Sequence, residues 1–143
     1  MYTRQPLFSG GGYCSDAVAL LLGLHRASDS SVVVRATHHG DAMDQAHVFG
    51  LPSSSREALE ATLRASTPTA EQAVVVCHSE PGAWHPALYE TSRCPPAGAA
   101  VAVGRTMFET DRLDPEHVKR LNAMREVWVL MRWGLYTFGR AVG

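Results

Sequence analysis

Three consecutive glycines, Gly10, Gly11 and Gly12, stand shortly before the apolar stretch Ala17–Leu24. These glycines would lie between a first strand and a helix, because apolar residues with helical spacing follow them. Backbone N–H groups at such a position can hold a phosphate with the help of the helix dipole. The spacing is not that of the GxGxxG fingerprint, and the lysine of a P-loop is missing. The triplet therefore leaves two interpretations open, a loop that a phosphate approaches closely and a plain turn.

A second group of reactive side chains lies in the segment Cys77–Trp84, which reads CHSEPGAW. His78 and Glu80 could carry out acid–base work or hold sugar hydroxyls, and Trp84 could stack on a sugar ring. Thiol catalysis by Cys77 with His78 is disfavoured, because neighbours on one strand point to opposite faces of the sheet. We expect Cys77 to be a small core residue. A purely structural role for His78 and Trp84 is the alternative.

The densest polar segment is Gly104–His117, which reads GRTMFETDRLDPEH. Its side chains Arg105, Glu109, Asp111 and Arg112 could form a charged cluster that lines a cleft. The alternative is an ion-paired surface loop that leads into a capped helix. Residue chemistry alone slightly favours the surface loop.

A metal site would draw on His38, His39 and Asp41, with His78 or His85 completing it. Metal ligands must converge on one point, and nothing in this spacing makes them converge. The HExxH pattern is also absent. The sequence therefore predicts no metal.

The elements that must position these residues are short strands alternating with helices. Strands are predicted at Tyr2–Phe8, Ser31–Thr37, Ala73–His78, Ala99–Gly104 and Glu126–Met131. Helices are predicted at Asp16–Ala27 with Ser15 as N-cap, at Ser54–Ser66 with a Ser54–Glu57 capping box, and after the N-cap Asp114 with Pro115 in the first turn. The intervening stretch 38–54 shows no clear period and is predicted to be a polar loop.

Continuously apolar strands separated by helices predict an α/β fold with a mostly parallel sheet of about five strands, covered on both faces. In such sheets functional groups collect at the carboxyl ends of the strands. Those ends carry the segments Gly10–Gly12, His38–Asp41, His78–Trp84 and Arg105–Asp111. These are the loops richest in polar, glycine and aromatic residues, so a site at this edge of the sheet is expected.

Composition narrows the class of protein. The chain of 143 residues has 45% hydrophobic and 19% charged residues and a formal net charge of -1, which is typical of one globular domain, residues 1–143. The sequence has no basic stripe of the kind that binds nucleic acid, and it has no apolar run long enough to span a membrane. The cysteines Cys14, Cys77 and Cys94 are odd in number and widely spaced, so neither a disulfide framework nor a zinc pair is predicted. A reducing, cytoplasmic location is the expectation.

Four segments taken together resemble a subset of the glycosyltransferase family 4 proteins. They are SGGGYCSDA, CHSEPGAW, GRTMFETDRLDPEHVKRLNAM and EVWV, and the resemblance runs in order from about Leu7 to Trp128. The family implies a GT-B architecture, in which two Rossmann-like domains face a cleft. Its N-terminal domain holds the acceptor, and its C-terminal domain binds most of the nucleotide-sugar donor, with no cofactor beyond that substrate.

The resemblance also implies residue roles. The glycine loop of such domains approaches the donor diphosphate, which assigns that contact to Gly10, Gly11, Gly12 and the adjacent Tyr13. The acceptor side and the approach to the reacting centre are assigned to Glu80, Trp84, Arg105 and Thr106. Glu109 or His78 is then the candidate base or charge stabiliser.

Family members are usually more than twice as long, and this sequence stops where the second domain would begin. We therefore expect an N-terminal domain without its donor-binding partner, which would be a weak catalyst unless a partner chain or a homodimer completes the cleft. The alternative function is a non-catalytic domain that binds a carbohydrate or a protein. A small αβα hydrolase is a weaker rival.

Overall fold

The computed structural model describes residues 1–29, 31–38, 40, 42–84, 93–107, 112–132, 134 and 138–139. The strands are β1 Tyr2–Gln5, β2 Arg35–His38, β3 Val74–His78, β4 Val101–Thr106 and β5 Glu126–Val129. The helices are α1 Gly11–Ala27, α2 Gln45–Gly50, α3 Ser53–Arg64 and α4 Pro115–Asn122. Short 3-10 helices occupy Ala70–Gln72 and Pro81–Trp84. Among the described helices, none combines the length and apolar character needed to cross a bilayer.

The five strands form one sheet in the order β2-β1-β3-β4-β5, and every neighbouring pair is parallel. Two apolar clusters pack against it: one contains α1 and α3 residues, and the other contains Leu121 of α4. The chain is therefore a Rossmann-like α/β domain with a three-layer arrangement, which confirms the predicted fold class. The carboxyl ends of all the strands lie at one edge of the sheet, as the sequence reasoning required.

The strand bounds differ from the predictions where pairing with a neighbouring strand, or a proline, decides where a strand begins or ends. β2 begins at Arg35 rather than Ser31, since Arg35 pairs with Tyr2 at the start of β1. Val32 and Val33 come before that pairing, and each is 49% exposed. β1 ends at Gln5, directly before Pro6, which lacks the N–H that a ladder needs. β4 continues past its predicted end to Thr106, where it pairs with Val129.

The predicted start of α4 is confirmed, whereas the region of α2 and α3 differs from the prediction. Asp114 caps α4 through the N–H of Glu116 at 2.8 Å, with Pro115 in the first turn, as predicted. The capping box predicted at Ser54 is wrong, because α3 begins at Ser53 after Pro52, with no side-chain cap. The predicted polar loop contains the short helix α2, which Asp44 caps through the N–H groups of Ala46 and His47.

The expectation that the cysteines form no disulfide is wrong. Cys77 on β3 is joined to Cys94, seventeen positions further along the chain. Cys77 is fully buried, as expected of a core residue, and Cys94 is 2% exposed. Sequence spacing could not show this pairing, because the fold brings Cys94 back over the sheet at the level of β3.

Candidate functional site

The glycine triplet forms the start of α1 at the carboxyl edge of the sheet. Gly10 is the N-cap with φ of 73°, and Gly11 is the first helical residue with φ of 80°. Both values lie in the left-handed region that glycine tolerates best, so these two positions need glycine for their backbone conformation. The helix therefore begins at Gly11 rather than at Asp16, and Ser15 is not its cap. The Ser15 hydroxyl instead donates to the carbonyl of Gly11 at 3.1 Å.

The backbone of Gly12 differs from that of its two glycine neighbours. Its φ is not positive, and a Cβ added there would meet no atom within 4 Å. Gly11 and Gly12 are both exposed. The start of α1 therefore presents an open backbone surface with N–H groups that the helix itself does not use.

Tyr13, directly after the glycines, joins the start of α1 to the end of β4. Its hydroxyl accepts from the N–H of Met107 at 3.2 Å, donates to the Met107 carbonyl, and lies 3.3 Å from the Thr106 hydroxyl. Thr106 itself is fully buried. These contacts hold the first turn of α1 against the carboxyl end of β4.

His78, the last residue of β3, holds the same turn from a second direction. Its Nε2 donates to the Tyr13 carbonyl at 3.1 Å, and its ring stands edge-on to the Tyr13 ring at a centroid distance of 5.7 Å. Its Nδ1 accepts from Arg105 Nη1 at 3.1 Å. Because a carbonyl can only accept and a guanidinium can only donate, the imidazole is neutral with its proton on Nε2.

Arg105 is the last-but-one residue of β4 and pairs with Asp16, one helical turn beyond Tyr13. Arg105 Nη2 donates to Asp16 Oδ1 at 3.0 Å, and Nη1 contacts Oδ2. Asp16 Oδ2 also lies 3.5 Å from His78 Nε2. Asp16, His78, Arg105 and Tyr13 therefore form one network at the carboxyl edge of β3 and β4.

Burial explains the electrostatics of this network. The His78 side chain is inaccessible to solvent, and desolvation lowers its pKa to about 4 against a smaller opposing effect of the Tyr13 carbonyl. Desolvation also lowers the pKa of Arg105, whose side chain is 13% exposed. Both ring nitrogens of His78 are thus engaged within the network, and through Nε2 the side chain holds the Tyr13 carbonyl at the start of α1.

Trp84 lies elsewhere, on the other face of the sheet. Its side chain is 1% exposed and belongs to the same apolar cluster as the Cys77–Cys94 disulfide. The ring rests on the bare backbone of Gly104, where an added Cβ would lie 2.4 Å from Trp84 Cη2. Trp84 is thus a core residue in this structure, and stacking on a sugar ring does not fit its burial.

Glu80 is half-buried at the carboxyl end of β3, beside the 3-10 helix Pro81–Trp84. Its Oε1 lies 2.9 Å from the position of a Cβ added to Gly82, with His117 Nε2 on α4 3.1 Å from the same point. Two arginines fix this 3-10 helix: Arg120 donates to the carbonyls of Pro81 and Gly82, and Arg4 to that of Ala83. Glu80 therefore sits beside a turn that two arginines hold in place.

Several candidates from the sequence lie outside the described residues, namely Glu109, Asp111, His39, Asp41 and His85. His38 is described, and its Nδ1 accepts from the Leu7 N–H at 3.1 Å. In the described part of the chain, no three His, Cys, Asp or Glu side chains are grouped closely enough to hold a metal ion.

Sequence reasoning missed Asp16, because that residue looked like the start of a helix rather than part of its second turn. It also missed the contact between Cys14 and His47, since α2 was not predicted. A pocket of about 230 Å³ was missed as well, and it lies at the opposite, amino end of the strands, beside Tyr2, Ala73 and Pro96. Nothing in it connects to the network at the carboxyl edge.

Comparison with family models, with curated proteins and with solved structures finds no match for this chain. The fold and the geometry of the carboxyl edge are therefore the basis on which a function is proposed.

Proposed function

We propose that this chain is the acceptor-side, N-terminal domain of a GT-B glycosyltransferase, and that the start of α1 binds the diphosphate of a nucleotide-sugar donor. The open glycine turn carries the proposal. Gly11 and Gly12 present unobstructed backbone at the N-terminus of a seventeen-residue helix, at the carboxyl edge of a parallel sheet. Helix N-termini at this edge suit anions because their N–H groups and dipole face outward.

The bracing of the turn supports the same proposal. His78 holds the Tyr13 carbonyl, and the Tyr13 hydroxyl is fixed to Met107. A turn held from two strands keeps its N–H groups pointed in fixed directions before a ligand arrives, which lowers the entropy cost of binding. The four segments that resemble glycosyltransferase family 4 include both the glycine turn and the stretch that contains Arg105 and Thr106.

Local charge defines the direction of approach. The Asp44 carboxylate lies against Gly10, with Oδ2 3.1 Å from the position of an added Cβ. A diphosphate is repelled from that side, so it approaches over Gly11 and Gly12. The charge of Arg105 is matched by Asp16, which leaves the backbone N–H groups as the principal attraction.

The experiment compares two glycines of the same helix. Gly12→Ala and Gly23→Ala each place a methyl group in open space, without a positive φ. With isotopically labelled protein, titration with a nucleoside diphosphate should shift the amides of Gly10–Tyr13. Gly12→Ala should weaken this binding about tenfold or more by blocking close approach, whereas Gly23→Ala should not. Equal affinity in both variants, or no amide response at millimolar ligand, would refute the diphosphate site.

A second function, a non-catalytic carbohydrate- or protein-binding domain, is favoured by the state of His78. This candidate base is fully buried and neutral, and both of its nitrogens are engaged. Glu109, the other candidate, lies outside the described residues and stays a prediction. The two functions separate on chemistry: the glycosyltransferase proposal requires sugar transfer once a donor-binding domain is supplied, and the binding domain requires none.

A further inference from the structure

Cys14, in the first turn of α1, is paired with a histidine from a separate element. Its Sγ lies 3.1 Å from Nε2 of His47 on α2, although the two residues are 33 positions apart. The cysteine is fully buried, and the histidine is half-buried. Cys77 and Cys94 share a disulfide, so Cys14 carries the chain's one thiol. Neither the fold nor the proposed diphosphate site requires a thiol at this position.

Two features of this position favour the thiolate over the thiol. An adjacent imidazole can take the proton of a cysteine and stabilise the resulting anion as an ion pair. The N-terminal turn of a long helix adds a partial positive charge. Burial acts in the opposite direction and raises a thiol pKa. Among the residues that the structure describes, the carboxylates beside this pair are Asp44, which caps α2 at the N–H of His47, and Asp16, which is already paired with Arg105.

We propose that Cys14 is a reactive thiol, activated by His47, that hydrogen peroxide oxidises to a sulfenic acid. The thiolate sulfur attacks one peroxide oxygen, so that an S–O bond forms as the O–O bond breaks. The hydroxide that leaves takes the proton that His47 Nε2 received from the thiol, and water is released. Sulfur is oxidised by two electrons and the peroxide is reduced by two.

The burial of the sulfur selects the size of the reagent. With no exposed surface on Cys14, a two-oxygen peroxide can reach the sulfur far more readily than a protein or a bulky disulfide. The element that carries His47 is also weakly anchored: none of the six residues of α2 is buried, and Phe49 is 71% exposed. Elements with few buried contacts open locally at low free-energy cost, which gives a small reagent its route.

The test measures the second-order rate of peroxide oxidation at Cys14, read by a sulfenic-acid trap and peptide mass mapping under non-reducing conditions. His47→Gln keeps a polar side chain but cannot serve as the base. His25→Gln is the matched control, since His25 is exposed near the other end of α1. An ordinary thiol of pKa ~8.5 is only a few per cent thiolate at pH 7, so losing the activation should slow oxidation about tenfold or more.

The pH profile separates activation from simple packing. In the wild-type chain, the rate of oxidation of Cys14 by hydrogen peroxide should rise with pH, with an inflection at least about one unit below that of the urea-unfolded chain. In His47→Gln the inflection should move up to the unfolded value or above it, because the imidazole is lost while burial, which raises a thiol pKa, remains together with the weaker effect of the helix terminus. A wild-type inflection at or above the unfolded value would overturn the proposal, whether or not the variant folds. So would equal oxidation rates in His47→Gln and His25→Gln. This proposal is independent of the diphosphate site, which can fail without affecting it.

Discussion

His78 and Arg105 face each other across β3 and β4, where Arg105 Nη1 donates to His78 Nδ1 at 3.1 Å. The two residues are directly paired in the register of the parallel sheet. A cation that donates to an imidazole requires that imidazole to be neutral. With Nδ1 occupied by Arg105, the proton of His78 is on Nε2, which donates to the Tyr13 carbonyl. The glycine turn is therefore held by residues of both β3 and β4.

The neutral state of His78 predicts a pH-dependent stability. Its pKa is about 4 in the folded chain and about 6.5 when unfolded, so below pH 6.5 the unfolded chain binds the additional proton. The resulting contribution to stability is complete above pH 6.5 and is lost as the pH falls toward 4. Between pH 7.5 and 4.5 the free energy of unfolding should fall by roughly 2 to 3 kcal/mol through this group.

Urea unfolding of the wild-type chain and of His78→Gln is measured at both pH values. The loss in the free energy of unfolding between pH 7.5 and 4.5 should be larger in the wild type, and the difference is the contribution of His78. His25→Gln, which changes an exposed histidine, should retain the wild-type pH dependence. If His78→Gln shows the same loss of stability as the wild type, His78 is not buried in its neutral form.

The ion pair between Asp16 and Arg105 should contribute more to stability than a surface pair does. Their side chains are 21% and 13% exposed, whereas those of the Glu60–Arg64 pair on α3 are 55% and 79% exposed. Asp16→Asn should lower the free energy of unfolding by about 1 to 3 kcal/mol, because it leaves a largely buried guanidinium without its counter-charge. Glu60→Gln should cost less than about 0.5 kcal/mol. Chemical denaturation compares the two, and equal costs would contradict this assignment.

The disulfide predicts a dependence on reductant. Closing the segment between Cys77 and Cys94 restricts the unfolded chain and should stabilise the fold by about 3 kcal/mol. Thermal unfolding with and without a phosphine reductant measures this difference, and Cys14→Ser serves as a control that keeps the disulfide. An unchanged midpoint in the reduced chain would contradict this stabilisation by the disulfide. Disulfides persist mainly in oxidising compartments, so a bond that stabilises the fold in this way would count against the expected cytoplasmic location.

The sequence predicted most of the fold, because hydrophobic runs and helix periodicity are local signals. The parallel sheet, α4 with its Asp114 cap, and the collection of polar segments at one edge all followed from such signals. Helix α2 could not be predicted in the same way. None of its residues is buried, so it lacks an apolar stripe, and its cap at Asp44 is its main local signal.

The site was only partly predictable because its geometry is tertiary. Tyr13, His78, Arg105 and Thr106 were named from the sequence and do come together, but the role of His78 depends on burial that no local pattern shows. Asp16 and His47 acquire their partners from distant elements. For Trp84 the sequence left open both stacking on a sugar ring and a purely structural role, and the structure packs its ring onto Gly104.

The packing of Trp84 on Gly104 predicts a large effect from a single methyl group. In Gly104→Ala the new Cβ would lie 2.4 Å from Trp84 Cη2, inside van der Waals contact, while Trp84 is enclosed by the core. The ring cannot move aside without disturbing the disulfide next to it, so we expect a loss of about 1 to 3 kcal/mol in the free energy of unfolding. Gly23→Ala, in open space on α1, should instead be neutral or stabilising by up to about 1 kcal/mol.

A double variant tests whether Trp84 and Gly104 share this contact. The free energy of unfolding lost in Trp84→Phe/Gly104→Ala should be smaller than the sum of the losses in the two single variants, because the smaller ring leaves room for the methyl group. Strictly additive costs in urea denaturation would show that the two residues do not share this contact.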